Sequence, residues 1–423
     1  MLPQRGVRDE GLSGVLSLGE ACGTGLCCVP LINMQPPHLP GATFSKEDSA
    51  DGREATGVEG VAVRTVLRHV RELHSLGPAN NDHLSALRVA VSVAVPSLLL
   101  LVIGRPDLTI YAVCGALTGM YGRNERHQLR LRHQLQAALV LLSGVSIGVV
   151  LSISHLHGWW LVLVEAAFAG AGSVYSDRVR LKPNGPFFGI LALGACASVP
   201  TAVPWYVALL IAAASAAFSL FIGFGGWIRG RTWNPGARRT TSRLQGQFRR
   251  KAAVHAARYI VAVGAAGAVG VLSGSGHPHW AMAAAAVPLA GADLPSSVHR
   301  GIHRIIGTLL GLVIVAVVLL PGPAALLPRF PGAEAAVLAV LVIVFQFTTE
   351  LFMTRHYGLA MVSFTPVILL MTHLAAPSDP TVLIAERGVE TLVGAVTGIL
   401  VVVLIRSRRN PAAAPSASSA ARQ

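Results

Sequence analysis

From Ala86 to Ile405 the sequence alternates apolar runs of 14 to 25 residues with short polar loops rich in arginine. A backbone in hydrocarbon has no water to bond, so only helices or closed barrels cross a bilayer, and a crossing helix needs about 20 mostly apolar residues. Charged residues make up 13% of the chain, where a soluble protein carries about 25%. So few charges cannot cover a water-facing surface, which excludes a multidomain soluble enzyme. The fold expected is all-α, a polytopic membrane protein.

Twelve spans are read: 86–104, 108–121, 135–154, 159–176, 187–200, 204–228, 257–273, 279–292, 305–321, 333–349, 357–373 and 388–405. The second, fifth and eighth are short, and need flanking residues, tilted neighbours or burial inside the bundle. Residues 1–60 read as a disordered extension, 61–85 as an amphipathic cytoplasmic helix, 229–256 as a basic cytoplasmic linker, and 406–423 as a disordered tail. The linker separates two six-span halves, 86–228 and 257–405. Six is even, so the halves run parallel, related by an axis along the membrane normal.

Arginine sets the orientation. With both termini in the cytoplasm of a plasma-membrane protein, Arg123, Arg126, Arg130, Arg132, Arg178, Arg180, Arg300, Arg304 and Arg355 fall on inner loops. Only Arg105, Arg329 and Arg387 are left outside, as the positive-inside rule requires. The same rule accounts for the net charge of +14 without a nucleic-acid partner, and no aromatic-basic platform for one accompanies it. The lipid bilayer is the expected partner, with a second copy or an accessory subunit left open.

A repeat crosses the linker. Gly104-Arg-Pro-Asp-Leu and Gly276-His-Pro-His-Trp each introduce a short span, and the same offset of 172 residues sets Arg132 against Arg304. A second pattern, R-x-x-x-T-L-x-G, occurs at Arg304–Gly311 and at Arg387–Gly394. On a helix its Arg and Thr lie one turn apart on one face. Thr308 and Thr391 are then placed to bond, and Gly311 and Gly394 to admit a neighbouring helix closely.

Two six-span halves, a basic linker and Arg-x-x-Gly-Thr-Leu-Leu-Gly opening a third span together resemble the fusaric-acid-resistance-like family, which includes aromatic acid exporters. The resemblance is strongest over 257–311 and 381–397. The first half departs from it, since Arg132-His-Gln-Leu-Gln lacks the Gly-Thr. What the resemblance implies is transport of an organic, aromatic or carboxylic, anion.

Charges inside spans are few. Glu165 lies in mid-span, where a carboxylate has to face a cavity, find a partner or take up a proton. Glu390 is expected to pair with Arg387 or Arg105. The paired short spans point to a midplane site, with Gly115, Ala285 and Pro288 either leaving room for a ligand or allowing tight packing. Asp107 and Asp293 read as caps, and Cys114 and Cys196 as small buried hydrophobes. His155/His157 and His277/His279 have no metal-ligand spacing, so neither metal nor cofactor is expected. No phosphate-binding loop and no nucleophile–base arrangement occurs, which leaves no enzyme signal. A transporter or efflux protein is the leading reading, and a membrane scaffold docking a partner through the basic linker is the alternative. A lipid-modifying enzyme ranks third.

Overall fold

The computed structural model describes residues 77, 82–201, 203–225, 247–321 and 333–405. The amphipathic segment before residue 82 (apart from Gly77), the linker up to residue 246, the extension and the tail lie outside these. The described residues form twelve α-helices and no strand: α1 Asp82–Val102, α2 Thr109–Ala116, α3 His127–Ile153, α4 Trp159–Val179, α5 Phe187–Ser198, α6 Trp205–Phe224, α7 Gln247–Leu272, α8 His279–Leu289, α9 Leu294–Leu319, α10 Ala333–Phe352, α11 Tyr357–Ala375 and α12 Pro380–Leu404.

Eight of them, α1, α3, α6, α7, α9, α10, α11 and α12, are long and apolar enough to cross a membrane. Helix α4 has the length (21 residues) but is not among the eight, since two tryptophans, Glu165, Gly170 and Gly172 dilute its hydropathy. The short helices solve their length problem by burial. Every residue of α2 and α8 is buried, and in α5 only Ser198 is not. Helix α2 is further extended by 3-10 turns at Pro106–Leu108 and Leu117–Met120.

Several helices start well before their apolar runs. Helix α9 begins at Leu294 because the Asp293 carboxylate accepts from the Ser296 amide at 3.0 Å while the Ser296 hydroxyl accepts from the Asp293 amide at 3.1 Å. That reciprocal cap, with Pro295 in the first turn, starts the helix on polar residues. Asp379 does the same for α12, accepting from the Thr381 amide at 2.8 Å just ahead of Pro380. Residues 247–256, read from sequence as linker, are already helical and belong to α7. Asp107, expected as a cap, instead pairs with Arg105 at 2.7 Å.

The packing order matters for the site. Helix α3 lies on α5 and α6, and α9 lies on α11 and α12; α2 lies on α6, and α8 on α12. The most extensive packing between helices before and after residue 246 is α4 on α7 and α10 on α1, with α5 also meeting α8 and α2 meeting α11. Glycine sets the closest approaches. A Cβ added at Gly144 or Gly148 of α3 would stand 2.5 and 2.4 Å from the carbonyl oxygens of Gly189 and Leu193 on α5. At Gly307 and Gly311 of α9 the same atoms would stand 2.6 and 2.7 Å from the carbonyls of Gly358 and Val362 on α11. No side chain fits such a gap, so the backbones touch there.

Candidate functional site

The two R-x-x-x-T-L-x-G segments lie on α9 and α12, which pack against each other. Helical spacing puts each Arg, Thr and Gly on one face, and that face is buried: Arg304 and Arg387 are fully enclosed, as are Thr308 and Thr391 to within 1%. Arg304 donates from Nη1 to the Met361 sulfur at 3.0 Å and lies over the Phe187 ring at 5.5 Å. Its Nε and Nη2 have no hydrogen-bonding partner in the protein. Arg387 lies over the Trp280 ring at 5.2 Å, and none of its three nitrogens is hydrogen-bonded. The hydroxyls of Thr308 and Thr391 are also without partners.

A charged side chain at the centre of a membrane helix costs about 2.5–3.5 kcal/mol even by the mildest scale. A desolvated cation–π contact returns about 2 kcal/mol. Aromatic faces therefore offset part of the penalty for each guanidinium and satisfy none of its in-plane donors. Those donors suit the oxygen atoms of an anion, which a guanidinium binds in a two-pronged fork.

Glu390 was expected to pair with Arg387 or Arg105; among the described residues it makes no salt bridge with either, although its charge acts on the Arg387 guanidinium. Arg105 is taken by Asp107. Glu390 sits one turn further along α12, where its Oε2 lies against the Gly270 position of α7 and has no partner, while Arg387 turns toward Trp280 on α8. Three residues along a helix are close enough to pair, but here the two side chains lean toward different neighbours. Glu165 is fully buried with both carboxylate oxygens unpartnered.

Two cavities flank the arginines. A cavity of about 580 Å³ opens among the arginine-bearing loops and is walled by Arg123, Lys182, Arg300 and Arg355. Two of these cations are already neutralised, Arg123 by Glu350 at 2.9 Å and Arg355 by Asp82 at 2.8 Å. Lys182 and Arg300 have no ion pair among the described residues. The floor is aromatic, with Phe187, Phe188 and Tyr357 lining it and Phe364 packed beneath, 6.4 and 6.0 Å from the two phenylalanine rings. A second cavity of about 130 Å³ is lined by Ser198, His277, His279, Thr372 and Ser378. It reaches Arg387 through a stack, since the His277 ring lies parallel to Trp280 at 4.2 Å and Trp280 faces the guanidinium.

The small residues proposed as ligand room sit at helix seams. A Cβ on Gly115 would stand 2.1 Å from the Ala212 carbonyl oxygen of α6. Ala285 and Pro288 face Gly398 of α12, and Gly394 faces Ala281. None of Gly115, Ala285 and Pro288 lines either cavity; α8 contributes Val287 to the larger one instead. Gly311, by contrast, does what its position implied, since it meets the Val362 carbonyl. Sequence reasoning passed over Phe187, Trp280 and Tyr357, which cover the arginines, and the Arg123–Glu350 pair. A Phe-Phe or Pro-His-Trp opening reads as an ordinary interfacial anchor, so periodicity held no signal for them.

An all-helical bundle with eight membrane-length helices and a buried, arginine-bearing core defines a multi-pass membrane protein. Residues 262–401, about a third of the chain, are similar to the family model described as fusaric acid resistance protein-like. The matched segment contains both Arg-Thr-Gly patterns. No curated protein and no solved structure matched the chain.

Proposed function

We propose that this protein moves an organic anion, of the carboxylate class, across the plasma membrane, with the larger cavity and both termini on the cytoplasmic side. The observation that carries the reading is the pair Arg304 and Arg387, enclosed, with five of their six side-chain nitrogens unbonded, and set between cavities that approach from opposite ends. A scaffold gains nothing from two buried guanidinium groups, whereas a path for anions needs stations of this kind. Uncompensated Lys182 and Arg300 at the mouth would raise the local anion concentration. No nucleotide-binding loop is present in the sequence, so active movement would draw on an ion gradient, for which Glu165 is the candidate proton carrier.

The reading includes an internal duplication with twelve crossings. Its support is the matched packing: α3 on α5, α2 on α6 and α3 on α6 have counterparts six helices later in α9 on α11, α8 on α12 and α9 on α12, and α4–α7 mirrors α10–α1. Burial lets α2, α5 and α8 cross while short. Arg258, near the start of α7, donates to the Ile405 carbonyl at 2.8 Å, which keeps the end of α12 at the arginine-rich face.

Purified protein in lipid vesicles under an imposed pH gradient is expected to carry benzoate or succinate, and Arg304→Gln or Arg387→Gln to lower that flux at least tenfold. Absence of carboxylate flux from folded wild-type protein would overturn the reading. For orientation, an impermeant thiol reagent on intact cells should label a cysteine placed at Ser378 and spare one at Asn184, both exposed positions, in a background without native cysteines. The reverse pattern would invert the topology.

A further inference from the structure

Tyr357 stands between the cavity and the buried arginine. It opens α11 directly after His356, whose ring caps the helix by accepting from the Leu359 amide at 3.1 Å. The Arg300 guanidinium lies over the Tyr357 ring at 5.5 Å, on the cavity side. The hydroxyl lies beside the guanidinium of Arg304 on the other. One turn further, Met361 holds Arg304 Nη1 through its sulfur at 3.0 Å, and Phe187 covers the guanidinium from α5. Tyr357, Met361 and Phe187 all line the cavity, while Arg304, one turn from Arg300 on α9, does not.

The backbone here cannot move aside. Gly307 and Gly358 bring α9 and α11 into direct contact, and Gly311 and Val362 repeat the contact one turn on. Sliding either helix would press main chain into main chain, so Arg304 becomes accessible only by rotation of the side chains over it. Of these, Tyr357 alone offers Arg304 an oxygen. A phenolic oxygen is a single, neutral acceptor, whereas a carboxylate supplies two charged ones in the plane of the guanidinium. A halide is spherical and has no such fork.

We infer that Tyr357 is a specificity-determining residue of the path: an anion passing from Arg300 to Arg304 has to pass the tyrosine hydroxyl and compete with it for the guanidinium, matching the open Nε and Nη2 with oxygens of its own, which admits carboxylates and holds back halides. The inference rests on the transport reading above and assigns the selectivity of that path to one side chain.

The test is flux in proteoliposomes with propionate, benzoate and chloride as probes, each variant first checked for a monodisperse profile by size-exclusion chromatography. Tyr357→Phe keeps the ring beneath Arg300 and removes the competing oxygen. It is expected to lower the carboxylate-to-chloride flux ratio at least fivefold and to lower the half-saturating carboxylate concentration. Tyr357→Ala should erase the ratio altogether and also narrow the difference between propionate and benzoate. Unchanged ratios and half-saturation in both variants, with carboxylate flux present in the wild type and lost in Arg304→Gln, would overturn this inference and leave the transport reading standing. Lack of carboxylate flux in the wild type would overturn both.

Discussion

Helices α3 and α9 share a scaffold and differ in chemistry. Each carries a glycine pair four residues apart, Gly144/Gly148 and Gly307/Gly311, and each pair meets two backbone carbonyls of the helix after next. Registered on those glycines, Arg304 falls opposite Leu141 and Thr308 opposite Val145, all four fully enclosed. This glycine register differs by more than two turns from the sequence offset that set Arg132 against Arg304, and Arg132 is only half-buried, near the start of α3; under the proposed duplication the close glycine contacts set the correspondence. The same close-packed frame thus accepts either an apolar or a cationic residue at one position. Under the proposed duplication, the apolar position shows what packing requires, and Arg304 and Thr308 depart from it.

The largest effect should come from the shared part. Gly144→Val and Gly307→Val each force a side chain into a gap occupied by a carbonyl, and overpacking of this kind costs about 1–3 kcal/mol or more. Both variants are expected to unfold at clearly lower temperature in a fluorescence-monitored melt in detergent. A harmless Gly144→Val would break the equivalence of the two halves.

Next come exchanges of the residues that differ. Arg304→Leu copies the first half into the second, and is expected to cut carboxylate flux at least tenfold while leaving the melting temperature equal or higher, since a buried, incompletely satisfied cation is replaced by packing. Leu141→Arg should do the opposite, losing about 2.5–3.5 kcal/mol with no gain in flux. Loss of stability in Arg304→Leu would mean that the guanidinium holds the bundle together.

A third test separates seam from cavity. Ala285→Leu on α8 presses on the Gly398 face of α12 and should lower folded yield and flux together. Val287→Ala, two residues on, on the opposite side of α8 and lining the larger cavity, should alter the half-saturating concentration with a melt shifted by about 1 kcal/mol or less. A stable Ala285→Leu variant that loses flux would return the site to the seam.

The smallest effect is expected at the crossed contacts. Asp82 bonds Arg355 at 2.8 Å and Thr354 at 3.0 Å across α1 and the end of α10, as Asp177 bonds His255 at 2.8 Å across α4 and α7. Asp82→Asn and Asp177→Asn should each cost on the order of 1 kcal/mol, since part of each pair is solvated. Unequal losses would show that one crossing carries more of the bundle than the other.

Apolar run length alone determined that this chain is a helical membrane protein, and placed the twelve helices of the described residues, because hydrocarbon leaves an apolar segment few alternatives. The spacing of Arg304, Thr308, Arg387 and Thr391 likewise put each Arg–Thr pair on one helix face, helical period being a local property. That both arginines, read from sequence as loop residues, are enclosed in the bundle was decided by packing. Polar helix starts at Leu294 and Gln247 escaped, as caps and tertiary contacts extend helices beyond their apolar runs. Which small residues are seams and which flank a cavity was decided by the tertiary structure only: Gly115 and Gly311 look alike in sequence, and it is the carbonyl opposite each that fixes its role. The same holds for the covers of the arginines. Phe187, Trp280 and Tyr357 come from three different helices, and only the close approach of those helices at their glycines brings the rings over Arg304 and Arg387.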